Sequence, residues 1–237
     1  MRPVLLLFLP LFTTDAMSQP VFKNPGLPNS ESFEIHEYVD PQVGYALTRV
    51  NITLEQRNGE KYYKMNVYEG NAFLNEIELR YTDLTTLSEK RTDLRTNTVI
   101  QYYIKKGNTI RFYNKEKGVD KTIESDETNI YSPLAYLLSF RGFPFEVGRS
   151  TSFKTYMYQY GGELTMNLVN TGTEKETVKA GTFNCYVLVL SVGGWQSFFA
   201  TDKYYFYFTV ASPHIFVKYK EYDNGVWNAD ELISYDK

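Results

Sequence analysis

The stretch 177–190, TVKAGTFNCYVLVL, constrains the fold more than any other part of this chain. It reads as strand, tight turn, strand. Ala180 and Gly181 interrupt the pattern, and from Asn184 to Leu190 the chain is almost continuously apolar. Such a strand keeps no face for water, so something must cover both of its sides. The rest of the sequence has to supply that cover.

Most of it reads as further strands. Val50, Ile52 and Leu54 alternate with Asn51, Thr53 and Glu55, and Ile77, Leu79 and Tyr81 alternate with Glu76, Glu78 and Arg80. This period of two marks strands with one apolar and one wet face. Arg57-Asn58-Gly59-Glu60 carries the Asn-Gly signal of a type I′ hairpin. Similar patterns fall at 87–94, 98–104, 109–113, 119–123, 151–159, 163–170, 173–178, 196–200, 203–210, 215–222 and 226–235. One helix stands among them. Ser132 is its expected N-cap, Pro133 its first residue, 134–140 its apolar body and Gly142 its C′ position, with Pro144 preventing resumption. A helix so short and apolar belongs against a sheet. The expected class is mostly β: a curved antiparallel sheet or half-open β-barrel of about eleven strands with a short helical plug.

The N-terminus reads as an export signal over 1–18. Arg2 supplies the positive charge, an apolar run follows, and Ala16-Met17-Ser18 fits a cleavage site before Gln19. No cysteine stands near that site, so no lipid-anchored cysteine is expected, and the apolar run is too short to span a membrane. The protein is expected to be periplasmic or secreted. Residues 19–44, rich in Pro, Asn and Ser where they begin, are expected to form a flexible arm, and 45–237 a single antiparallel domain.

A formal net charge of −3 argues against nucleic acid as a partner. Cys185 is the only cysteine, so no internal disulfide forms, and its place in the apolar strand marks it as a core residue. With two histidines, His36 and His214, no His-rich metal site is available, and no cofactor is expected. No nucleophile elbow, phosphate-binding loop or dinucleotide fingerprint is present. Glu124, Asp126 and Glu127 read as a solvated acidic loop, and Lys105, Lys106, Arg111, Lys115, Lys117 and Lys121 as a solvated basic hairpin. The segment 203–210, KYYFYFTV, is aromatic on both faces: Tyr204, Phe206 and Phe208 on one, Tyr205 and Tyr207 on the other. Core packing explains one face. The other needs a partner, a ligand or a surface on which Tyr tolerates water.

The ordered set YSPLAYLLSFRGFPFEVGRS, ETVKAGTFNCYVLVL, YYFYFTVASPHIFVKYKEYDNG and the closing ELISY resembles a bacterial envelope family catalogued only as a domain of unknown function, number thirty-one oh eight. The resemblance implies a lipoprotein-carrier-like fold, in which a curved sheet holds helices against its concave face and the cavity takes acyl chains. On that footing the candidate ligand-binding residues are Leu134, Leu137, Leu138, Arg141, Tyr186, Leu188, Tyr204, Phe206 and Phe208. Arg141 is expected to meet a polar headgroup or to pair with the acidic loop. The expected function is an exported, non-catalytic binding protein for a lipid, a lipoprotein acyl chain or a hydrophobic peptide. The alternative is a structural or protein-interaction module of the envelope with a filled core.

Overall fold

The computed structural model describes residues 21–40, 44–127, 129–157, 161–194, 203–223 and 225–237. The expected export signal with its cleavage site, and the expected strand at 196–200, lie outside them.

One continuous sheet of fifteen strands makes the body of the protein. Its first half comprises β1 (Ser30–Asp40), β2 (Gly44–Arg57), β3 (Glu60–Glu69), β4 (Phe73–Arg80), β5 (Thr86–Asp93), β6 (Thr98–Lys106), β7 (Thr109–Asn114) and β8 (Val119–Glu124). The second half comprises β9 (Ile130–Tyr131), β10 (Ser150–Met157), β11 (Gly162–Val178), β12 (Gly181–Val192), β13 (Lys203–Thr209), β14 (Phe216–Asp223) and β15 (Val226–Asp236). Each strand pairs with its sequence neighbour, and β1 pairs with β15, so the two halves join at the centre and β8 and β9 lie at the edges. All pairings are antiparallel except β9 with β10. The Asn-Gly turn forms as expected, with Asn58 and Gly59 at positive φ of 53° and 86°. The expected class holds: the sheet is an open antiparallel half-barrel with a short helix.

Among the described residues fifteen strands form where about eleven were expected, and β1 and the two-residue β9 are the ones no sequence pattern marked. In the other direction, 163–170 and 173–178 are one strand, β11, carried through a bulge between Asn170 and Gly172.

Within the arm expected over 19–44, the described residues 21–40 are docked rather than flexible. Phe22 is fully buried in the core, and its ring meets those of Tyr131, Phe140 and Phe153 at 4.7–5.6 Å. The Lys23 amide donates to the Gly142 carbonyl and the Asn24 amide to that of Thr82, at 3.0 Å each. Ser30–Asp40 is then β1, the central strand that joins the two halves, with Phe33 and Ile35 inward. Polar residues at inward positions of this strand, Glu31 and Glu37, hid its apolar alternation.

The helix is shorter than expected: α1 is Tyr136–Ser139, followed by a 3₁₀ turn at Phe140–Gly142. Ser132 is not its cap. The Ser132 hydroxyl donates to the buried Glu89 carboxylate, and its amide donates to Thr86 Oγ1 at 2.9 Å. Gly142 is required by close approach, since a Cβ there would lie 2.5 Å from the Lys23 carbonyl oxygen.

The stretch that opened the sequence is covered on both sides. Leu188 and Leu190 face the concave core, with Phe206 and Tyr204 opposite them on β13. On the other face Cys185, Val187 and Tyr207 are also buried. There the β11–β12 hairpin overhangs its neighbours: the Ala180 amide reaches the Leu232 carbonyl on β15 at 3.2 Å, and Glu176 meets Lys218 on β14 at 3.3 Å. The chain thus covers its own most apolar strand. The two ends of the sheet meet through side chains, with Tyr103 of β6 stacked on Tyr156 of β10 at 3.8 Å.

Candidate functional site

The concave face has two regions of different character. At the end closed by α1 it is filled with rings. Tyr136 stacks on Phe140 at 4.5 Å, and Phe140 meets Phe206 at 5.1 Å, Phe153 at 5.9 Å and Phe208 at 6.5 Å. Leu138, Leu188, Phe206 and Phe208 of the expected ligand set lie in this core, and Leu134, Leu137 and Tyr204 pack against it half-buried. Tyr186, half-buried, stacks on Phe145 at 4.6 Å. These residues are brought together as packing partners. Two surface depressions, of about 300 and 180 Å³, lie elsewhere, around Glu34, Arg49 and Ser234 and beside Val21, Ser152 and Lys154.

Arg141 does not pair with the acidic loop. It is 1% exposed and pairs with Glu31 of β1, which is equally buried; its Nε donates to the Pro213 carbonyl at 3.0 Å. Tyr235 also donates to Glu31, at 2.8 Å. A buried guanidinium needs a fixed carboxylate and a partner for each nitrogen, and here it has both. Most of the acidic loop and basic hairpin is solvated as expected, with Glu124, Asp126, Lys106, Arg111, Lys115, Lys117 and Lys121 exposed, but Glu127 and Lys105 are half-buried and Lys105 Nζ donates to the Ser125 carbonyl at 3.4 Å. His214 places Nδ1 2.9 Å from the Thr209 carbonyl within its own turn, and burial pushes the Cys185 thiol up to about 12.

The far end of the concave face is polar. Strand residues two apart share a face, so Glu31, Phe33, Ile35 and Glu37 all point inward, and Glu37 stands roughly 20 Å beyond Glu31 along β1. Register extends the row. Tyr219 of β14 lies opposite Asp230 of β15, Glu221 opposite Asn228, and Tyr204 of β13 opposite Glu221. Across the other half, Thr48 donates to Glu37, and Arg91 grips Glu69 through two contacts of 2.6 Å, with Asn75 donating to the same carboxylate at 2.7 Å. Arg91 is thereby committed. Glu37, Glu221 and Asp230 form no ion pair among the described residues.

Among the described residues each of these three carboxylates takes one hydrogen bond, from the Thr48 hydroxyl, from the Tyr219 hydroxyl at 2.6 Å and from the Tyr38 amide at 2.8 Å respectively. Burial, then the neighbouring charges of Glu37 and Glu221, push the Asp230 carboxyl up to about 7 against the pull of the Tyr38 amide. Burial likewise raises Glu37. Tyr204 and Tyr219 stack beside the group with centroids 6.3 Å apart. Sequence reasoning named only Tyr204 here. The carboxylates were legible only as polar residues at inward positions of otherwise alternating strands.

This fold and site define a class: an antiparallel half-barrel with a helical cover at one end and a carboxylate-lined concave face at the other. The chain belongs to the protein family of unknown function DUF3108, whose pattern matches residues 32–229. No curated protein matches it. Among solved structures it is similar to a β-barrel-like protein of the DUF1849 domain from Brucella abortus, at 5% identity and a TM-score of 0.47, covering 92% of this chain and 98% of that one. It is also similar to an exported protein with a YmcC-like fold from Bacteroides fragilis, at 11% identity and a TM-score of 0.35, covering 92% and 100%. The hypothetical lipoprotein YmcC from Escherichia coli aligns at 12% identity and a TM-score of 0.31, over 89% and 88%.

Proposed function

We propose that the protein is an exported, non-catalytic binding module of the cell envelope that engages its partner at the far, polar end of the concave face. The observation that supports this reading is the contrast along that face: rings in mutual contact under α1, half-buried carboxylates without ion pairs at the other end. An acyl chain between helix and sheet would have to displace Phe140 or Phe206, and burying its own apolar surface would only replace apolar surface already buried there. The filled-core alternative therefore fits better than the acyl-carrier reading. Absence of catalysis is part of the proposal. The buried Cys185 thiol and the turn-bound His214 are not arranged as a nucleophile and base.

Photo-crosslinking in cells tests it. A benzoylphenylalanine replaces Tyr204 in one variant and Leu137 in another. The expected result is an adduct from position 204 and none from 137. Adducts from 137 alone, or from neither position, would overturn the reading.

A further inference from the structure

The groups gathered at the far end all accept hydrogen bonds. Glu37, Glu221 and Asp230 have spare lone pairs after the single donors described above, and Asn228 adds one more acceptor. Asn228 is 8% exposed, and its Oδ1 has no hydrogen-bond partner among the described residues. It lies directly opposite Glu221 and two residues from Asp230 on the same strand, so all three share the concave face. An acceptor buried to that degree without a donor costs free energy that a bound donor would recover. Charge points the same way. Glu37 and Glu221 both place their charges on Asp230, and Arg91, whose charge also reaches Glu37, is held by Glu69. No group of three or more acidic, His or Cys residues among those described is arranged to hold a metal ion. A ligand that brings several N–H donors on one delocalised or compact positive charge meets the demand.

We infer that the Glu37–Glu221–Asp230–Asn228 cluster is a binding site for an organic cation, the ammonium or guanidinium group of a polypeptide side chain. This rests on the proposed function and gives its site a ligand class. The cation supplies the donors that Asn228 Oδ1 and the carboxylates lack, and it neutralises the mutual repulsion of Glu37, Glu221 and Asp230.

Isothermal titration of the full chain at pH 7.5 tests it with four probes: acetyl-trilysine amide, its Nε-acetylated counterpart, phosphatidylethanolamine vesicles and phosphatidylcholine vesicles. Saturable binding is expected for trilysine and for neither vesicle. The Nε-acetylated peptide should not bind. In D230N/E221Q the affinity should fall about tenfold or more, since two charge-assisted contacts are lost. In N228A, a milder change that guards against misfolding, it should fall measurably, while E76Q on the opposite face leaves it unchanged. No binding of trilysine, binding of phosphatidylethanolamine vesicles in its place, or wild-type affinity in D230N/E221Q overturns the inference. A crosslink from position 204 without ammonium binding would leave the site in place and reject the ligand class alone.

Discussion

The Arg141–Glu31 pair sits where a lone charge is least tolerable, each partner 1% exposed. Replacing Arg141 by Met leaves the Glu31 carboxylate buried with only Tyr235 to hold it. The expected loss is about 3–5 kcal/mol in urea unfolding. The double variant E31M/R141M should recover most of that loss, because no charge is stranded. If the double variant is no more stable than R141M, the pair is not the reason Arg141 is there. Asp230 makes the opposite kind of prediction. Its carboxyl is raised from 3.8 to about 7, facing Glu37 from β1 and Glu221 and Tyr219 from β14. The folded state therefore holds its proton more tightly than the unfolded chain does, and stability contributed by the neutral form falls as pH rises from about 4 to 7. Thermal unfolding should show a drop in Tm across that window that is smaller in D230N. Equal drops in the two proteins would contradict the assignment.

Among the elements, the segment 21–29 and the turn after α1 lock each other. Gly142 must lack a side chain because the Lys23 backbone occupies that space, and Phe22 completes the ring cluster next to it. G142A should undock the segment. Limited proteolysis should then cut near residue 25 far faster than in the wild type, with global stability lower by roughly 3 kcal/mol, as for other overpacked or emptied core sites. Unchanged cleavage would mean that the segment is held some other way. Its docking was not legible in the sequence. Pro, Asn and Ser composition marks absence of regular structure, and a lone Phe22 carries no period. The Asn58-Gly59 hairpin was legible because one turn type demands those two residues. The length of α1 was not, because the Ser132 that looks like a cap is claimed by Glu89 on β5, distant in sequence.

Across the whole molecule, the alternating strands made the half-barrel readable, since a period of two fixes which side of a sheet is apolar. The central place of β1 and the overhang of the β11–β12 hairpin were not, because each depends on contacts far apart in the chain, Phe33 with Tyr235 and Ala180 with Leu232. The expected ligand set fell mainly on core residues for the same reason: apolar residues that pack against a helix and apolar residues that line a cavity have the same pattern. The carboxylates at the far end carry no sequence signal of their own, and only register places them inward. The central claim is that the helix end of the concave face is filled and any ligand sits at the polar end. Native mass spectrometry of D230N/E221Q protein recovered from its own envelope tests it most directly. The account predicts the bare polypeptide mass; an acyl-chain lipid retained by that variant would contradict it.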